Sequence, residues 1–146
     1  MGLATSLHEK LDAKKIVIMD GGTGTEISRR GVTIHPELSW SGNANITHPD
    51  MVRNIHRDYI LAGAEIIITN TFSTSRATLA NDGLSEQTEE INRKSVSLAM
   101  DARKMCDAQE TVVIAGSMSA FEPKGHPEII PSYEEALEDY QEQVRI

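Results

Sequence analysis

Residues 16–27 read IVIMDGGTGTEI: four apolar residues, an aspartate, then a loop of three glycines and two threonines. The apolar run Ile16-Val17-Ile18-Met19 has two counterparts, Ile66-Ile67-Ile68-Thr69 and Val112-Val113-Ile114-Ala115. None of the three alternates apolar with polar. Short, unalternating, β-branched runs read as strands buried on both faces, so the sequence predicts a parallel sheet covered by helices, an α/β fold.

Helical spacing fills the gaps between these runs. Pro49 suits a first helical turn, and Val52, Ile55, Tyr59 and Ala62 follow on one face before Gly63. Residues 85–106 carry a second such face in Ile91, Ser95, Leu98, Ala99, Ala102 and Met105. The runs begin about fifty residues apart, against about thirty for a minimal strand-helix-strand unit. The surplus lies after the strands, in residues 30–48 and 117–131, where parallel α/β proteins put their sites. Ser132 and Glu135 form a capping-box pattern, with Ala136, Leu137, Tyr140 and Val144 marking one further apolar face. That helix has no strand after it, so the chain is expected to be the front part of a larger protein. Residues 1–14 read as an amino-terminal extension or helix.

The 146 residues are 39% hydrophobic and 25% charged, enough for about one ordinary domain. Fourteen basic against 22 acidic residues give a net charge of -8, which disfavours nucleic acid or an anionic membrane as partner. No apolar run approaches the roughly 20 residues of a membrane span. Cys106 is alone, which rules out an internal disulfide and suits a reducing, cytoplasmic setting.

The opening loop could cradle a phosphate. It lacks the lysine of GxxxxGK[ST], however, and Ile27 stands where GxGxxG needs its last glycine, while Asp20 puts a carboxylate where a pyrophosphate would lie. Two other readings remain for Asp20. It either caps the following helix, or faces a small ligand, taking an ammonium while Gly21 and Gly22 let backbone amides come close. The other runs end in Thr69-Asn70-Thr71-Phe72 and Gly116-Ser117-Met118-Ser119. In a parallel sheet those small polar side chains share one level with Asp20.

Asp20-Gly21-Gly22-Thr23-Gly24-Thr25-Glu26, Trp40-Ser41, His56-Arg57-Asp58-Tyr59-Ile60-Leu61-Ala62-Gly63-Ala64, Thr69-Asn70-Thr71-Phe72 and Ala115-Gly116-Ser117 stand in that order. The set resembles the amino-terminal half of the homocysteine S-methyltransferase family, from Lys15 onward. The resemblance implies the first part of a TIM barrel, with three parallel strands, intervening helices and the start of a fourth helix. It implies homocysteine and a small-molecule methyl donor as substrates, methionine as product, and a zinc ion that makes the homocysteine thiol nucleophilic. Asp20 matches the aspartate that receives the amino group. Gly21, Gly22 and Thr69 match positions that hold the amino-acid end, with Asn70 beside them and Ser117 at the third strand end.

The family's zinc rests on three cysteines, one after an asparagine and two adjacent in a glycine-rich run, and this chain has neither pattern. No metal ligand is therefore expected here, and the chain alone is expected to be inactive. Residues 117–123, Ser-Met-Ser-Ala-Phe-Glu-Pro, also depart from the family's glycine-proline pattern. His35, His48 and His126 lie beside prolines without ligand spacing, and His56 is expected to make a buried hydrogen bond. Trp40 either packs over the site or anchors its loop. The rival reading is a non-catalytic half-barrel that self-associates or pairs with a complementary chain, because an open parallel sheet leaves edges and apolar faces exposed.

Overall fold

The computed structural model describes residues 3–35, 39–119 and 131–146. In chain order the elements are α1 (Leu3–Asp12), α2 (Thr23–Arg29), α3 (Ala44–Thr47), α4 (Pro49–Leu61), β1 (Ile66–Ile68) and α5 (Arg76–Ala80). After a 3-10 turn (Ser85–Gln87) come α6 (Thr88–Met105), β2 (Val113–Ala115) and α7 (Tyr133–Arg145). Among the described residues no helix is long and apolar enough to cross a membrane.

β1 and β2 are parallel, with Ile66 opposite Val113 and Ile68 opposite Ala115. The first expected strand, residues 16–19, is not one. It lies parallel beside β1 through a single bridge between Met19 and Ile66. Glu65 and Ile66 both donate to the Ile18 carbonyl (2.7 and 3.2 Å), and the Asp20 N–H donates to the Ile66 carbonyl (2.9 Å). The Ile18 N–H goes to the Glu65 carboxylate at 3.2 Å instead of to a neighbouring strand. Burial on both faces also fails here: Ile16 is 86% and Met19 57% exposed. Two strands and a bridged segment therefore stand where three strands were expected, because the described residues pair this segment on one side only.

The covered side of the sheet is held by α4 and α6. Pro49 opens α4, where its missing N–H costs nothing, and Gly63 at φ +102° gives the left-handed residue that ends the run. Glu89 and Glu90 in the first turn of α6, with Arg103 and Lys104 in its last, oppose the helix dipole. Ile27, Val52, Ile55 and Leu98 form one core cluster. Ala64, Ile67, Ala99, Ala108 and Val112 form a second, directly on the strands.

His56 lies in this interior, fully buried, and neither ring nitrogen has a hydrogen-bond partner among the described residues. The expected buried hydrogen bond is thus not made. Its helical register faces it inward with Val52 and Ile55, and burial alone pushes its pKa down to about 4, so the ring is neutral.

The capping box of α7 is formed, with the Glu135 N–H on the Ser132 hydroxyl and the Ser132 N–H on the Glu135 carboxylate. No residue of α7 is buried, however. The helix is fastened by its polar side, through a bidentate Arg76–Glu142 pair (2.6 and 2.9 Å) and Gln143 Nε2 on the Thr71 carbonyl (2.9 Å). Residues 120–130, with His126 and most of the loop after β2, lie outside the described residues.

Candidate functional site

Asp20 ends the bridged segment at the carboxyl side of the sheet. Its Oδ2 accepts the Ile68 N–H at 2.8 Å, while Oδ1 is buried with no partner among the described residues. It does not cap α2: the N-cap there is Gly22, with no side-chain cap bond. Burial pushes the Asp20 carboxyl up, against the pull of the backbone N–H groups of Ile68 and of Asp20 itself. A carboxylate left half-paired in a desolvated position is poised to gain from a cationic partner.

The glycines after Asp20 make room for aromatic side chains. A Cβ on Gly21 would come within 2.9 Å of the Tyr59 hydroxyl, and one on Gly24 would run into the indole of Trp40. Trp40, held at φ +53°, therefore packs on the opening loop itself, which joins the two roles considered for it. Gly22 meets only the Thr25 side chain, at 3.1 Å.

The ends of β1 and β2 are tied to each other. The Thr69 N–H donates to the Ala115 carbonyl (2.9 Å), and the Thr69 and Thr71 hydroxyls meet at 2.8 Å. Thr71 Oγ1 donates to the Ser117 carbonyl (2.8 Å) and accepts the Ser117 N–H (3.0 Å). Its single proton being spent on Ser117, Thr69 is the donor between the two hydroxyls. Asn70 turns the other way. Its Nδ2 donates to the Ser41 carbonyl (2.8 Å) and Asn45 Oδ1 (3.1 Å), and its Oδ1 accepts from the Ser41 hydroxyl (2.8 Å). Asn70 thus fixes the segment carrying Trp40 against the end of β1.

The structure brings Asp20, Gly21, Gly22, Thr69 and Ser117 to the same side of the sheet, with Asn70 engaged behind them. Two residues escaped the sequence reading as site components. Thr71 is the hub of the strand-end network, and its only signal was its place within Thr69-Asn70-Thr71-Phe72. Tyr59 read as part of an apolar helix face, and nothing in its spacing marks a contact with Gly21.

Cys106 lies at the other end of the sheet. It helps line a cleft of about 600 Å³ with Ala64, Glu65, Val112 and Val113, at the amino ends of the strands and away from Asp20. Burial pushes its thiol up, and its Sγ donates weakly to the Arg57 carbonyl at 3.9 Å. Among the described residues no three His, Cys, Asp or Glu side chains converge as a metal ligand set. The described residues therefore do not fit a zinc ion.

A family model described as homocysteine S-methyltransferase matches residues 17–146. The chain belongs to that family. It is 34% identical over 120 residues to a homocysteine S-methyltransferase of Escherichia coli K12, an alignment covering 79% of this chain and 38% of that relative. It is 32% identical over 115 residues to homocysteine S-methyltransferase 2 of Zea mays, covering 72% and 34%. The fold resembles the metallated form of the homocysteine methyltransferase MmuM from Escherichia coli, with a TM-score of 0.76 and 27% identity, over 92% of this chain and 51% of that one. The chain thus spans about half the length of the solved relative and under two-fifths of the curated ones.

Proposed function

We propose that this chain is the homocysteine-binding portion of a methyltransferase that passes a methyl group from a small-molecule donor to the sulfur of homocysteine, giving methionine. In this reading the bridged segment, β1 and β2 are the first three strand positions of a TIM barrel. The observation that carries the proposal is the half-paired Asp20 carboxylate, one oxygen on the Ile68 N–H and the other buried without a partner. An α-amino acid supplies the missing ammonium. Gly21 and Gly22 let its carboxylate approach the backbone, Thr69 and Ser117 line the same end of the strands, and Asn70 holds the adjoining loop in place.

The full-length enzyme is zinc-dependent in this reading, with the ion held by residues this chain does not contain. The reaction takes place in the reducing cytoplasm, where Cys106 stays a free thiol. Titration calorimetry of the chain with L-homocysteine tests the site. Binding is expected, and Asp20→Asn is expected to weaken it roughly tenfold or more by removing a charge-assisted contact. Equal affinity of the two proteins would remove Asp20 from the site. With zinc, homocysteine and S-methylmethionine the chain alone is expected to give no methionine, and measurable turnover would overturn that expectation.

A second reading draws on one specific observation. Ile16, Ile18 and Met19 are each more than half exposed, and in β1 and β2 only Ile67 is fully buried, the other residues being half-buried. Such a surface suits self-association or pairing with a complementary chain. Sedimentation velocity distinguishes the two: a monodisperse monomer excludes the self-associating form.

A further inference from the structure

Tyr59, in the last turns of α4, packs against both core clusters, Ile27, Val52, Ile55 and Leu98 on one side and Ala64, Ile67, Ala99 and Val112 on the other. The interior therefore fixes the ring. Its hydroxyl stands over Gly21, where an added Cβ would lie 2.9 Å from the oxygen and 3.2 Å from the ring carbons behind it. Burial, reinforced by the charges of Glu26 and Asp20, pushes the phenol up, so it keeps its proton and can donate. That proton has no acceptor among the described residues, and the oxygen is not sealed off as a buried unpaired atom. A tyrosine with an immobilised ring and an uncommitted hydroxyl beside a half-paired carboxylate is arranged to meet a ligand.

The chemistry of the ligand narrows the role. An α-amino acid carries ammonium and carboxylate on one carbon, so a group that binds the carboxylate must stand beside Asp20. The arginines near Tyr59 are already committed. Arg29 is paired with Glu26 at 2.8 Å, and Arg30 with Asp58 at 2.8 Å. We propose that Tyr59 is a ligand-positioning residue whose hydroxyl, over Gly21, donates to the carboxylate of the amino acid whose ammonium Asp20 receives. This rests on the reading of the site as a homocysteine site.

The test is titration calorimetry of the full 146-residue chain with L-homocysteine and with its carboxamide, in which the carboxylate is replaced by a neutral group. Tyr59→Phe keeps the ring and its packing. It is expected to weaken homocysteine roughly tenfold, as for a hydrogen bond to a charged group, and to bring the homocysteine-to-carboxamide affinity ratio down by a similar factor. A purely structural role would weaken both ligands alike and leave that ratio unchanged; such a result, or an unchanged homocysteine affinity, overturns the proposal. Gly21→Ala supplies an independent check, since its Cβ meets the hydroxyl. Its loss of affinity should be smaller in the Tyr59→Phe background than alone, and an equal loss in both counts against the geometry. If homocysteine does not bind the unaltered chain, or Asp20→Asn leaves its affinity intact, the homocysteine reading fails and takes this inference with it. If Asp20→Asn weakens binding and Tyr59→Phe does not, only the role of Tyr59 falls.

Discussion

Asp20 and His56 are both desolvated titratable groups with unpaired polar atoms, both pushed towards their neutral form by burial, and they sit in opposite surroundings. His56 is sealed inside the α4 face with neither nitrogen paired, whereas Asp20 is only partly covered, has one oxygen paired to the backbone, and is followed by glycines. Desolvation perturbs both. Asp20 differs in lying at the strand ends with one oxygen on the Ile68 N–H, and that placement, not the shifted pKa, is what the proposed site draws on.

The largest expected effect probes the sealed member of the pair. The folded protein holds His56 neutral down to about pH 4, while in the unfolded chain it takes a proton near 6.5. Its depressed value means that the stability contribution is full above the unfolded value and is lost as pH falls from there through 4. Over that window the loss is on the order of 3 kcal/mol. Urea unfolding at a series of pH values should show this slope, and His56→Leu, which replaces an unpaired buried ring by an apolar side chain, should remove it. If the two proteins keep parallel pH profiles, His56 is not a neutral buried base.

A smaller effect comes from the end of β1, where both side-chain N–H groups of Asn70 are used within the protein. Asn70→Ala leaves the Ser41 carbonyl and hydroxyl and Asn45 Oδ1 without their partner in a buried setting, while Asn45 Nδ2 keeps the backbone carbonyl of residue 70. That should cost about 2 kcal/mol in unfolding free energy. Homocysteine affinity should then fall only through displacement of the Trp40 loop. A loss of affinity with unchanged stability would instead make Asn70 a direct ligand contact.

The sequence made some of this visible and hid the rest for physical reasons. Helical spacing located α4 and α6, because Val52, Ile55, Leu98 and Ala99 repeat at the helical period and bury that face. The capping box of α7 was equally local, a matter of Ser132 and Glu135 alone. The strand reading of residues 16–19 overreached, since an apolar run specifies a propensity to pair but not whether a neighbour exists on each side. His56 was misjudged because helical register puts it inside regardless of whether the interior offers an acceptor. Asp20 was legible from its position after an apolar run and before glycines. Its half-paired state depends on Ile68, 48 residues away, and no spacing rule reaches that far. The same holds for Tyr59 over Gly21 and for the staple from Thr71 to Ser117.

The smallest expected effect is the stability of Asp20→Asn. The amide keeps an oxygen for the Ile68 N–H and removes a charge that the fold disfavours, at the cost of an amine with no described partner. The net change at neutral pH should stay within about 1 kcal/mol, so any larger fall in homocysteine affinity cannot be blamed on unfolding. The sign of the pH dependence is also fixed. A carboxyl raised above its ordinary 3.8 contributes stability that is full below 3.8 and is lost as pH rises through the folded value. That slope opposes the one from His56, so the two variants should change the stability profile in opposite directions. Saturating homocysteine adds the decisive contrast. An ammonium against Asp20 favours the ionised carboxylate and should flatten the Asp20 component while leaving the His56 component untouched. Unfolding profiles of the unaltered chain with and without homocysteine read this directly. A ligand that shifts both components alike, or neither, does not sit on Asp20.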